Sequence, residues 1–217
     1  MKPNIGRSSQ HFEIKDARTS LVWLSSEGMD LSNVNDTQLR VRLALEEDRT
    51  YLLRLLYLTS VFGDESAKLP ESHTPDVERY VGDWSPLVDG GVIAVSDFEV
   101  PAGGAWLRYF TGDNKGAAYM GPQSPDADPH DESLWATEFD PESIPELCIA
   151  VERRYAGQGL GEILLKNVVD LAREQDAPAA ALWVDSENSR ARRLYERFGF
   201  EDITIPNEKP GAMIKYF

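Results

Sequence analysis

The chain has 217 residues, 41% apolar and 10% aromatic, which is enough for one sizeable core and too apolar for a disordered polymer. A net charge of −15 argues against nucleic acid and anionic membrane as partners, because both are bound through basic surface, and favours a cationic partner. One cysteine excludes an internal disulfide. With no signal segment and no apolar run of about 18 residues, the expected compartment is the cytoplasm.

Residues 1–36 are expected to form an N-terminal extension and residues 37–217 the main domain. A strand is predicted from Leu39 through Leu45, then a helix opened by Glu46, Glu47 and Asp48 that runs to about Phe62, with Leu52, Leu53, Leu56 and Leu58 available for burial. Thr74 and Pro75 predict the start of a second helix ending near Trp84, since threonine caps and proline suits a first helical position. Residues 91–98 and 105–110 read as an antiparallel pair around a turn at Pro101–Gly104. Trp106 and Arg108 alternate on the second of these strands, facing either an acceptor cavity or the outside of the sheet.

Residues 124–143 hold seven acids and no Lys or Arg. The spacing Asp126-x-Asp128-x-His130-Asp131 invites comparison with a calcium loop. It lacks the turn glycine and the terminal glutamate, and Pro125 and Pro129 interrupt it, so a solvated acidic loop is expected. His11, His73 and His130 form no metal spacing, and no metal is expected.

Leu147–Val151 reads as a buried strand, followed by Glu152, Arg153, Arg154, Tyr155 and Ala156 and then Gly157-Gln158-Gly159-Leu160-Gly161. Leu160, Ile163, Leu164, Val168, Leu171 and Ala172 fall on one face of the helix that follows. Glycines ahead of a helix expose backbone N–H groups beside the positive end of the helix dipole, which makes a phosphate site. Two common phosphate loops are excluded. A dinucleotide fingerprint starting at Gly157 requires glycine where Glu162 stands, and the Gly-Lys-Ser/Thr of a Walker loop is absent.

Ala179–Val184 reads as a second buried strand. After it, Asn188 or Ser189 can cap a helix whose apolar face is Ala191, Leu194, Tyr195 and Phe198, with Gly199 where a left-handed terminating residue is wanted. Residues 153–197 carry eight Lys and Arg against seven acids and are net +1, while the rest of the chain carries −16. An anionic ligand is therefore repelled least where the glycines lie. For Arg192 and Arg197 a solvated helix face is expected.

Arg154-x-x-Gly157-x-Gly159, followed by Leu160 and Gly161, resembles the acetyl-coenzyme A motif of the GNAT superfamily of N-acetyltransferases. Asn188-x-x-Ala191-x-x-Leu194-Tyr195-x-x-x-Gly199-Phe200 resembles the same family's downstream stretch. The resemblance covers about residues 38–217, most strongly 145–200; Ala156 stands where the family often has a basic residue. It implies a mixed α/β fold: a twisted, mostly antiparallel sheet flanked by helices, with acetyl-CoA wedged between two splayed central parallel strands. It further implies direct transfer of an acetyl group from acetyl-CoA to a primary amine, small or peptidic, in a ternary complex. A homodimer is left open.

By the same resemblance, acetyl-CoA is expected against Ile149, Ala150 and Val151, against Arg154, Gly157, Gln158, Gly159, Leu160, Gly161 and Glu162, and against Asn188. Glu146 is expected as general base, directly or through water, and Tyr195 as the acid that protonates the leaving thiolate. The base has a clear task, since an alkyl amine with pKa near 10 is only about 0.1% neutral at pH 7. Cys148 lies in an apolar strand with no histidine near it in sequence, so an acyl-enzyme is not expected. The rival reading is a non-catalytic acyl-CoA-binding sensor or scaffold.

Overall fold

The computed structural model describes residues 39–71, 73–111, 115–119, 140–203 and 211–217. The expected extension over 1–36 and most of the acidic stretch, residues 124–139, lie outside them. Among the described residues seven strands form one sheet: β1 (Leu39–Leu43), β2 (Gly91–Ser96), β3 (Pro101–Arg108), β4 (Glu146–Val151), β5 (Ala179–Trp183), β6 (Glu201–Asp202) and β7 (Ala212–Tyr216). Their spatial order is β1-β2-β3-β4-β5-β7-β6, and only the β4–β5 pairing is parallel. This is the expected mixed α/β, mostly antiparallel architecture.

Helix α1 (Arg49–Ser60) covers one face of the sheet and α3 (Leu160–Glu174) the other. On α1 the buried set is Leu52, Leu55, Leu56 and Leu58. Leu55 takes the place expected for Leu53, which is turned outward, because the i, i+3, i+4 spacing from Leu52 selects 55 and 56. Leu160, Leu164, Leu165, Val168, Val169 and Ala172 of α3 pack into a core with Val92, Ala94, Ala105 and Leu107.

Two local expectations are corrected. The β2–β3 turn is residues 97–100, where Glu99 takes a φ of 58° and its N–H bonds to Ser96 O at 2.9 Å; Pro101–Gly104 is strand. Gly103 is there for close approach and not for turning, since a Cβ would sit 2.8 Å from Ala150 O on the neighbouring strand. The second helix, α2, spans only His73–Val77 and passes into a π turn over Glu78–Gly82. Its carbonyls are met by side chains: Arg49 bonds to Val81 O and Gly82 O at 2.7 Å each, Trp106 Nε1 to Tyr80 O at 3.0 Å and Arg108 Nε to Arg79 O at 3.0 Å. Trp106 and Arg108 are thus buried supports of that turn, and Arg108 is paired with buried Asp89 at 2.7 Å.

The sheet opens at its centre. β4 holds β3 through six residue pairs and β5 holds β7 through five, whereas β4 and β5 share the single pair Glu146↔Ala181, beside an Ala181 N–H to Pro145 O bond of 2.9 Å. Beyond Glu146 the two parallel strands part. Substituting Gly103→Ala should cost about 1–3 kcal/mol by forcing β3 from β4, measured by urea unfolding; an unchanged midpoint would contradict the close-approach argument.

Candidate active site

Past β4 the chain makes a short 3₁₀ turn at Arg153–Tyr155, reverses through Gly157 and Gly159 at φ of 82° and 84°, and enters α3 at Leu160. Both glycines hold left-handed backbone that side chains resist, and nothing lies within 4 Å of where a Gly159 Cβ would stand. The N–H groups of Leu160 and Gly161 fall in the first helical turn, outside the helix's own hydrogen-bond ladder. The glycine turn therefore presents donors toward open space, next to the helix's positive end.

That space is one end of a groove of about 400 Å³ lined by Ile149, Ala150 and Val151, by the glycine turn, and by Asn188 and Tyr195. Its other wall is α4 (Ser189–Arg197), whose Arg190, Arg193 and Arg197 line it at i, i+3, i+7 spacing and so share one helix face. Arg190 reaches within 3.6 Å of the Gly157 Cβ position. Among the described residues neither Arg190 nor Arg193 has an ion-pair partner, while Arg197 lies 3.7 Å from Glu162. A protein of net charge −15 thus carries a cationic groove.

The strand edge contributes as well. The Glu152 N–H to Ala102 O bond (2.9 Å) sets the phase of the β3–β4 ladder, so even-numbered β4 residues bond to β3. The N–H and C=O of Ile149 and Val151 turn instead toward the gap. Ala150 departs from expectation here, because its backbone is bound to Gly104 and only its surface meets the groove.

Several expected ligand residues are placed differently. Arg154 turns away from the groove, with its guanidinium on Pro101 O at 3.3 Å and over the Tyr155 ring. Leu160 is a core side chain, leaving only its N–H for a ligand, and Gln158 donates to Arg154 O at 2.8 Å as a brace of the turn. Glu162 lines the groove, but its N–H is spent on Gly159 O at 3.0 Å. Asn188 both caps α4, accepting from Ala191 N–H at 3.2 Å, and lines the groove. Arg192 is paired with Asp202 and Glu196 on the surface, and Arg197 is exposed as expected but also lines the groove.

Tyr195 and Glu146 approach the gap from opposite faces of the sheet. Tyr195 packs with the α3-side core, 6.0 Å from Phe200 ring to ring, and burial beside Cys148 pushes its phenol up. Glu146 shares the α1-side face with Cys148 and Ala150, by strand alternation, and is only 2% exposed. Its carboxylate accepts from Tyr80 OH at 2.8 Å and from Ala118 N–H at 2.9 Å, and Tyr119 N–H also reaches it. A Cβ on Gly116 would overlap the carboxylate, so this segment closes over Glu146 as only glycine allows. Burial pushes the Glu146 carboxyl up to about 7, against the opposing pull of those hydrogen bonds. Cys148 is also pushed up, by burial and then by Glu146, which disfavours the thiolate that an acyl-enzyme needs.

Among the described residues no cluster of His, Cys, Asp and Glu is arranged to hold a metal ion, and no helix is long and apolar enough to cross a membrane. The comparison with family models matches residues 58–200 to the "Acetyltransferase (GNAT) family". The chain belongs to this family.

Relatives of this GNAT chain include the mycothiol acetyltransferase of Acidimicrobium ferrooxidans, 41% identical over 68 residues, which are 30% of this chain and 22% of that protein. The [ribosomal protein bS18]-alanine N-acetyltransferase of Escherichia coli K12 is 39% identical over 57 residues, 26% of this chain and 38% of that one. The chain therefore spans well under half the length of these curated relatives. Among solved structures, a GNAT-family acetyltransferase of Staphylococcus aureus superposes with a TM-score of 0.54 at 13% identity, covering 82% of this chain and 99% of its own. The structure of yncA from Salmonella typhimurium with its cofactor acetyl-CoA superposes at 0.53 and 14% identity, covering 82% and 94%.

Sequence reasoning missed Tyr80, Gly116 and the α4 arginines. The arginines were legible as a helical i, i+3, i+7 set, whereas no local pattern ties Tyr80 to Glu146, 66 residues away. One pH effect follows from the buried carboxyl. Between about 4.5 and about 7 the folded protein keeps a proton that the unfolded chain has lost, so stability falls as pH rises through that window. Calorimetry should show Tm dropping more steeply from about pH 5 to about pH 8 in the native protein than in Glu146→Gln, and equal slopes would refute the buried carboxyl.

Proposed function

We propose that the chain transfers an acetyl group directly from acetyl-CoA to a primary amine, with residues 37–217 forming the transferase domain and 1–36 an extension. The observation that carries this reading is the continuity of a cationic, glycine-headed groove with a gap between two parallel strands, flanked by Tyr195 and Glu146.

The residues fit the donor. The N–H groups at Gly157–Gly161 and the Arg190 guanidinium suit a pyrophosphate. The free strand edge at Ile149 and Val151 suits the amide-bearing pantetheine arm, which can bond to it as another strand would. An arm lying along that edge delivers its thioester to Tyr195. The tyrosine keeps its proton tightly, so it serves as a hydrogen-bond donor to sulfur as the C–S bond breaks and negative charge gathers there.

Glu146, with a carboxyl near 7, is ionised enough at neutral pH to accept the ammonium proton and basic enough to do so usefully. Three of its roughly four lone-pair sites are filled by Tyr80, Ala118 and Tyr119, which leaves one for the amine or a bridging water. The freed amine attacks the thioester carbonyl, the tetrahedral adduct expels the thiolate, and the nitrogen proton released on collapse balances the thiol formed. A net charge of −15 favours a cationic acceptor and no nucleic-acid partner, and the single cysteine fits a cytoplasmic setting. One relative is named for the alanine of a ribosomal protein, which places peptides with a free N-terminus in the acceptor panel beside small amines.

The test is free-thiol release from acetyl-CoA across that panel. Release dependent on an amine supports the reading, and tight acetyl-CoA binding without release for any amine would establish the sensor instead. Tyr195→Phe should lower kcat by about 100-fold while the Kd for acetyl-CoA moves by no more than about twofold. Unchanged turnover would remove Tyr195 from the chemistry. Arg190→Gln and Arg193→Gln should each weaken acetyl-CoA binding roughly tenfold in calorimetric titration, with loss of salt dependence, and native affinity would displace the ligand from this groove.

A further inference from the structure

We propose that Tyr80 is a positioning residue that orients the Glu146 carboxylate and holds it ionised. The inference deepens the reading of Glu146 as the base and rests on it. Tyr80 lies inside the π turn at Glu78–Gly82, a backbone form that recurs at functional sites because it re-aims a side chain. Its hydroxyl accepts from Ala117 N–H at 2.6 Å and donates to Glu146 Oε2 at 2.8 Å. The first bond fixes the direction of the second, since the oxygen's accepting side is turned to Ala117 and its proton to the carboxylate.

The phenol cannot easily swing away. Its backbone carbonyl is held by Trp106, the flanking carbonyls by Arg108 and Arg49, and its ring stands edge-on to Phe110 at 5.6 Å. All of these supports come from elements distant in sequence and none faces the groove, so they converge on the placement of one hydroxyl.

The charged and titratable groups around Glu146 on each packed element are Asp76 and Arg79 from α2 and its π turn, Cys148 on β4, Arg108 on β3, and Lys115 and Tyr119 on the closing segment. Arg79 is paired with Asp76 at 3.2 Å and Arg108 with Asp89 at 2.7 Å, so neither guanidinium is given over to Glu146. A donor aimed at the carboxylate favours its charged form, and removing that donor favours the acid.

Infrared titration of the whole protein reads this without any acceptor, taking the carboxyl band absent from Glu146→Gln as that of Glu146. In Tyr80→Phe the midpoint of that band should rise by about one to two pH units, the equivalent of one hydrogen bond to a charged group. A midpoint that stays in place or falls overturns the proposal. A 3-fluorotyrosine at position 80 keeps the fold and makes the hydroxyl a stronger donor, so the midpoint should fall, and an unmoved midpoint again overturns it. Amine-dependent turnover that survives Glu146→Gln would sink the base reading by itself, because the infrared result does not depend on activity.

Discussion

The separation of β4 from β5 after one residue pair is the constraint on which the rest of this structure depends. Each strand stays bound along its outer side, β4 to β3 and β5 to β7, while the two separate from each other beyond Glu146. Two parallel strands that part leave an edge of N–H and C=O groups along the groove, which water or another chain-like molecule can complete. Every group in the proposed function lies around that opening: the glycine turn at the far end of β4, the arginine face of α4 and the two titratable groups above and below the sheet.

Charge follows the same geometry. The protein is strongly acidic, yet its helix α4 turns three arginines to the groove while Arg192 is paired with Asp202 and Glu196 away from it. Net charge averaged along the chain hides this sorting, because the period of a helix assigns neighbouring residues to different surfaces. On the opposite face of the sheet the logic is reversed. A carboxylate is buried there, and its cost is offset by a phenol and two backbone N–H groups in place of a cation.

Much of the fold was legible along the chain. The apolar run at β4, the glycine turn and the 3.6-residue period of α3 are local signals, and the structure places them as expected. The signals that misled were also local. Pro101–Gly104 has turn composition but is a strand, because the Gly103 position lies too close to β4 for any side chain, and Arg154 matches a motif position yet turns back onto Pro101 O. Composition records what a residue can do by itself, and these positions are decided by what stands across from them.

The sequence alone determined the strand, glycine turn and helix order around Leu147–Ala172, a left-handed stop at Gly199 and a cap of α4 at Asn188 or Ser189, of which the structure uses Asn188, since each depends on a few adjacent residues. It also named Glu146 and Tyr195. Only the tertiary structure decided how far apart in environment those two are: which face of the sheet each occupies, that Glu146 is sealed by Gly116, Ala118 and Tyr80, and that its carboxyl titrates near neutrality. The physical reason is that burial and hydrogen bonding set a proton's affinity, and for Glu146 the donors come from Tyr80, Ala118 and Tyr119, on segments far from it in sequence.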